Sequence, residues 1–487
     1  MSNILVPFAR SFTGKKVASD FSATADGVAM ALTGDPPIFT IPPGTAKVTV
    51  TAKPTKPPKL PRAAYWEHTV SMTLSASGVP TADAGSKTRT KLDTDTKGAT
   101  QVTILTIGVS RFREVTADMV DLLKHPPTER HPAREKTWWH VDEVQEHKDH
   151  YGAWPPLDWE LGPVSNVHFL DPVTPFDAGL LNVSLDTVTL DVHSVVLRLA
   201  GVAAPQLFAV VWPKTIVFKN GADPTPFFLF IRQGAQQSVD WEGIFKGPGI
   251  PPHPMNFDYA DTGLFSNIHY SALSQLEWGI GKGVAYQLQK AGAKAVSVVP
   301  ANAAGDEFSA MEKTEETGRI LQEIQAFMFW RAGIEKPPTS IGKTAIAAFS
   351  SGSNFLRNWL KSEKNRKGSF LTDVVTAVYF LDPPLKQITS CAKWALEWAK
   401  RGSDKRIRFY TQTLTTRHVD VLGSKLPKIP FIKNSTDDKR SVGIIPAAVW
   451  SDTAQKAGLP AVKWWNAHHM MAATLLTHAL HWKDISD

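Results

Sequence analysis

The chain has 487 residues, 43% of them hydrophobic and 20% charged, the balance of a folded globular protein, which excludes wholesale disorder. At about 150 residues per domain this length predicts two or three domains. The net charge of +7 is spread along the chain, and its densest groups, Lys361–Lys367 and Lys400–Arg408, are interleaved with Glu363 and Asp404, which fits solvated helix ends and argues against a nucleic-acid partner.

Apolar runs such as Gly201–Pro213 are broken by Pro205 and Gln206 and fall short of the roughly 18–20 residues a bilayer demands, so a soluble protein without an integral membrane segment is expected. Met1–Lys16 lacks a charged stretch followed by an apolar one, so no secretory signal is read and a cytoplasmic location is expected. The single cysteine, Cys391, excludes an internal disulfide and fits a reducing compartment.

The first third reads as strands. Ala46–Ala52, Thr69–Leu74, Gln101–Ile107 and Val183–Leu199 alternate apolar and polar residues, the period of a strand with one buried face. Gly34–Pro37, Pro54–Pro61 and Ser86–Gly98 read as turns and connections between them. These signals predict a β-rich, sandwich-like domain over residues 1–125. Residues 126–204 read as a connector with additional strands and one helix at Glu135–His150. On that helix His140, Glu143, His147 and His150 would share a face, but the HExxH spacing is missing and the segment is highly charged, so a solvated face and no metal are expected.

From Leu207 the texture changes. Short apolar runs (Leu207–Trp212, Phe227–Ile231, Ala295–Val299, Thr344–Phe349, Val374–Leu381, Arg406–Thr411, Ala461–Trp465) alternate with helical patterns near Gly283–Ala291, Glu315–Trp330, Asn354–Lys364, Lys386–Arg401 and Met470–Leu480. Buried runs separated by amphipathic helices predict an α/β unit: a mostly parallel sheet with helices on both faces, over residues 205–487. Its ligand site is expected outside the carboxyl ends of the strands.

One stretch, Thr344–Leu356, passes from strand to helix with no room for an ordinary loop. A bend this tight strains its central residue and requires small residues two places away on either side. Ser350 at the apex has Ala348 and Gly352 there, whereas Ser351 would have Phe349 and Ser353 would have Phe355. Ser350 alone satisfies the requirement. Its hydroxyl would stand at a helix N-terminus, where backbone N–H groups can stabilise a developing oxyanion.

With Ala348-x-Ser350-x-Gly352 as a variant of the small-x-Ser-x-small nucleophile elbow, residues 205–487 resemble the α/β-hydrolase superfamily, its serine esterases and lipases. Ala348 stands where the commonest form has glycine. The resemblance implies partners in the order serine, acid, histidine. The histidine follows the last strand, in Trp464–Met471; the small residue Ala467 favours His468, and the pairing of His469 with Met470 also resembles some members. The acid is Asp382, at the carboxyl end of Val374–Leu381, or Asp420 one strand later, where most members place it. The oxyanion hole would use the amide of Ser351 and one from Gln233 or Ala235, in a Gln-Gly pair after Phe227–Ile231. An insertion at 236–282, carrying Trp241, Phe257 and Tyr259, would lie over the site as a lid or acyl-binding wall.

The expected activity is therefore cleavage of a carboxylic ester, small or lipid-like, through an acyl-enzyme on Ser350, with no metal or organic cofactor. The other reading is a binding or structural protein on a hydrolase-like scaffold.

Overall fold

The computed structural model describes residues 2–55, 64–114 (without 85, 87–89 and 98), 163–170, 183–189, 191–200, 207–231, 284–301, 308–384 (without 335 and 363–368), 387–412, 435–436, 440–445, and Leu476, Ala479, Leu480 and Ile485. Residues 2–109 build two five-stranded sheets. One has the order Leu32–Thr33, Ile38–Ile41, Ser2–Ser11, Thr100–Val109, Thr90–Lys97; the other Val28–Ala29, Ser19–Ala25, Lys47–Pro54, His68–Leu74, Pro80–Ala82. The period-two pattern is realised directly: Val48, Val50 and Ala52 are buried while Lys47 and Lys53 on the same strand are exposed. Side chains of both sheets, among them Leu5, Phe39, Val50, Met72 and Ile107, share one core.

The turn expected at Ser86–Gly98 is instead mostly a strand. Thr90–Lys97 pairs antiparallel with Thr100–Val109 at the sheet edge. Its charged residues Lys91, Asp93, Asp95 and Lys97 face water, a polarity that hides a strand from an apolar pattern and protects an open edge from further pairing.

A ten-stranded mixed sheet follows. Its strands are β1 (Phe112–Glu114), β2 (Val192–Leu199), β3 (Leu207–Pro213), β4 (Phe227–Ile231), β5 (Val296–Ala301), β6 (Thr344–Phe349), β7 (Val375–Leu381), β8 (Arg406–Gln412), β9 (Ser435–Thr436) and β10 (Arg440–Ile445), in the order β1-β2-β3-β5-β4-β6-β7-β8-β10-β9. β5, β4, β6, β7, β8 and β10 are parallel neighbours, and the pairings at the two flanks, β1-β2-β3-β5 and β10-β9, are antiparallel.

Two strands of this sheet lie upstream of residue 205. The pattern at Val183–Leu199 also divides: Val183–Thr189 pairs with Pro163–Leu170 in a separate two-stranded sheet, while Val192–Leu199 becomes β2. Beyond β8 the parallel neighbour is β10, a short run that the sequence pattern passes over; Ala461–Trp465 lies outside the described residues.

Helices α1 (Val284–Lys290), α2 (Thr314–Arg331), α3 (Gly352–Ser362) and α4 (Ile388–Ala399) fall between successive strands from β4 to β8. In α2 the apolar residues Ile320, Leu321, Ile324, Phe327 and Met328 recur at helical spacing, with Glu315 and Glu316 in the first turn and Arg331 in the last, as the helix dipole favours. Residues of α2, α3 and α4 pack in one cluster with Leu229, Val298, Ile346, Val378 and Phe409 of the sheet. The alternate residues Phe228, Ala345, Ala347 and Tyr379 point to the opposite face and are equally buried. Burial on both faces is why these strands read as unbroken apolar runs. None of the described helices is long and apolar enough to cross a membrane.

The small sheets are fastened to the large one. Phe12 stacks on Trp330 of α2 at 4.9 Å between centroids, and the indole N–H of Trp330 donates to the Phe12 carbonyl at 3.0 Å. Gly108 is required there, since a Cβ would come within 2.7 Å of the Phe12 ring and 2.8 Å of Trp330.

Candidate active site

β6 ends at Phe349 and α3 begins at Gly352, so two residues make the entire connection. Ser350 takes the bend with φ +51°, a left-handed conformation that L-residues other than glycine avoid. Several contacts hold it there. Its N–H donates to the Leu381 carbonyl at 3.0 Å, extending the β6–β7 ladder by one residue, and its carbonyl accepts from the Ser353 N–H at 3.0 Å, starting the helix. The buried Ser353 hydroxyl donates to the Ala348 carbonyl at 3.3 Å, tying the first turn of α3 back to β6. Ala348 is fully buried in the cluster that contains Leu356 of α3, so strand and helix meet where its side chain is a single methyl.

Ser350 itself is half-buried, not sealed in the core. The backbone N–H of Ser351 donates to no acceptor among the described residues, and it immediately precedes α3, where helix geometry leaves amides unpaired.

Asp382 repeats the pattern one strand away. It follows the last residue of β7, has φ +46°, and donates its N–H to the Tyr410 carbonyl of β8 at 2.8 Å. Its carboxylate Oδ1 accepts from the Thr411 hydroxyl at 3.2 Å, and the residue is only 7% exposed. Because Phe349 pairs with Leu381, the exits of β6 and β7 bring Ser350 and Asp382 side by side, at the roughly 5 Å spacing of neighbouring strands. A serine hydroxyl, a mostly buried carboxylate and a free helix-end amide thus share the carboxyl edge of a parallel sheet.

Thr411 has no sequence signal: nothing local links it to a carboxylate 29 positions earlier, and only the β7–β8 register does so. Cys391 of α4 packs beneath the bend, its thiol 3.8 Å from the Ser353 carbonyl, and burial pushes its pKa up to about 12, so the thiol stays neutral.

His468, His469, Asp420, Gln233, Ala235, Trp241, Phe257 and Tyr259, with the whole of 236–282 and the His140–His150 set, lie outside the described residues. Among the described residues no three histidine, cysteine or acidic side chains gather as metal ligands.

No protein-family model matches this chain, and no curated protein does. Among the solved structures to which it is similar are several esterases. A ferulic acid esterase matches at 12% identity and TM-score 0.26, over 60% of this chain and 96% of its own. The BES protein from Bacillus cereus matches at 10% and 0.25, over 56% and 95%. An esterase from Pyrococcus furiosus matches at 10% and 0.21, over 57% and 89%.

Proposed function

We propose that the chain is a serine hydrolase of the α/β-hydrolase type that cleaves carboxylic esters, with residues 112–114 and 192–487 as its catalytic unit and Ser350 as nucleophile. The observation that carries this reading is the conformation of Ser350, a non-glycine residue with φ +51° between a buried parallel strand and the helix that follows it. Strain of this kind persists only where the surrounding structure enforces it, and at Ser350 it leaves the residue half-buried just ahead of a helix. The order β2-β3-β5-β4-β6-β7-β8-β10 supports it, since that unit reverses strand order beside the strand carrying Ser350, and ligands bind such sheets at the carboxyl ends.

In the proposed reaction the Ser350 Oγ attacks the ester carbonyl while the imidazole of His468 or His469 takes its proton. Asp382 accepts from the other imidazole nitrogen and stabilises the imidazolium. The amide of Ser351, with one from Gln233 or Ala235, holds the oxyanion. Collapse of the tetrahedral intermediate expels the alcohol, which receives the proton from the imidazolium, and water then frees the acid by the same steps in reverse. Trp241, Phe257 and Tyr259 of the 236–282 insertion wall the acyl group.

A fluorophosphonate probe tests the nucleophile: labelling of the native chain, abolished in Ser350→Ala, is expected. Failure of a correctly folded chain to label would sink the hydrolase reading and leave a binding scaffold. Asp382→Asn and Asp420→Asn, compared by turnover of a p-nitrophenyl ester, test the acid. A loss of about 10⁴-fold is expected in Asp382→Asn, with Asp420→Asn little changed.

A further inference from the structure

The outer face of the first small sheet is not the polar surface that its exposure would lead one to expect. The register places Phe8 beside Thr106 and Thr106 beside Lys91, with Ile104 beside Asp93 in the next outward row. Ile104 is 42% exposed. Together with Trp330 of α2 and Lys336 beyond its end, this face lines a cleft of about 580 Å³, the size of a small-molecule site at a junction between two structural units. Its walls combine an apolar floor (Phe8, Ile104, and the edge of Trp330) with the cations Arg10, Lys16, Lys91 and Lys336. Asp93 alone opposes them, and it is taken up by Lys91 at 3.7 Å.

Two features point to an anion. Arg10, Lys16 and Lys336 have no ion-pair partner among the described residues. Arg10 and Lys16 are moreover directly opposite one another in an antiparallel bridge, where like charges repel. Three unpaired cations around an apolar floor form a site for a molecule with one charged end and one apolar body, since each part then meets its complement.

We propose that this cleft binds a small amphipathic organic anion, a carboxylate on an aryl or alkyl body, with the carboxylate between Arg10, Lys16 and Lys336 and the body on Phe8 and Ile104. The proposal is independent of the reaction assigned to Ser350. Calorimetric titration of the full chain with 1-naphthoate tests it, beside the uncharged naphthalene-1-methanol. Saturable binding of one naphthoate per chain is expected, weaker at high salt. Arg10→Gln and Lys336→Gln, both at exposed positions, are each expected to lower the affinity about tenfold, as loss of a charged hydrogen-bond partner does. The uncharged analogue is expected to bind at least about tenfold more weakly. Absence of binding, affinity unchanged in both variants, or equal affinity for the uncharged analogue would each overturn it.

Discussion

At residue scale the molecule invests in Ser350. A left-handed conformation costs an L-residue about 1 kcal/mol, and glycine escapes that cost. Ser350→Gly is therefore expected to abolish ester turnover while leaving the urea midpoint unchanged or raising stability by up to about 1 kcal/mol. A clear drop in the midpoint would mean that the serine side chain supports the fold, against its proposed role. This bend was legible in the sequence because its causes are covalent neighbours: Ala348 and Gly352 are small, and the two residues between strand and helix permit no other path. Asp382 was legible only as the end of an apolar run. Its hydrogen bond from Thr411 and its place beside Ser350 come from strand pairing, which no window of sequence encodes.

At element scale the irregular pieces are held by side chains reaching carbonyls. The π-helical turn Phe370–Val374 leads into β7, and Lys405, just before β8, supports it. Its ammonium donates to the Thr372 and Val375 carbonyls at 2.7 Å each, and its side chain is only 2% exposed. The Trp398 indole adds a bond to the Leu371 carbonyl at 2.9 Å. Lys405→Met keeps the aliphatic packing but takes the donor from the buried Val375 carbonyl and the part-buried Thr372 carbonyl, so a destabilisation of about 2–4 kcal/mol in urea unfolding is expected. A midpoint within experimental error of the parent would refute the role given to Lys405. Sequence patterning found the buried strands and helices well, since Phe227–Ile231 and Thr344–Phe349 are apolar throughout and α2 keeps its helical period. It lost the edge strand Thr90–Lys97, whose charges serve against aggregation rather than packing, and the short β10.

At the scale of the whole molecule, a charge cluster centred on the buried Arg111 lies where the chain passes from the small sheets to the large one. Arg111, leading into β1, lies 2.9 Å from Glu316 and 3.4 Å from Glu323 of α2, and Glu316 is also 2.9 Å from Arg319. Burial pushes the Glu323 carboxyl up to about 7; Arg111 opposes the shift, Glu316 adds to it, and Arg319 and Lys15 also oppose it. Tyr65 faces the same group, and its own pKa is raised by burial and then by Glu323.

The folded chain thus holds a proton on Glu323 that the unfolded chain, near 4.5, releases. The associated stability is fully present below about 4.5 and disappears as the pH rises through about 7. Glu323→Gln, neutral throughout, is expected to gain on the parent across that window by on the order of 3 kcal/mol, measured by urea unfolding at several pH values. Parallel stability profiles for the two proteins would show that Glu323 does not titrate in the folded state.

Alone, the sequence determined what depends on near neighbours: which runs are buried, where strand gives way to helix, and which of three serines can occupy the bend. Those properties arise from side-chain size and period over a few residues, where the chain itself fixes the geometry. Only the tertiary structure decided what depends on distant partners. It joined β1 and β2 to the sheet across long stretches of chain, divided the pattern at Val183–Leu199 between two sheets, brought Asp382 to Ser350, and closed a basic cleft between a strand surface and the end of α2. Strand adjacency is chosen by total burial and hydrogen-bond pairing over the whole chain, and many orders of strands satisfy the same local pattern.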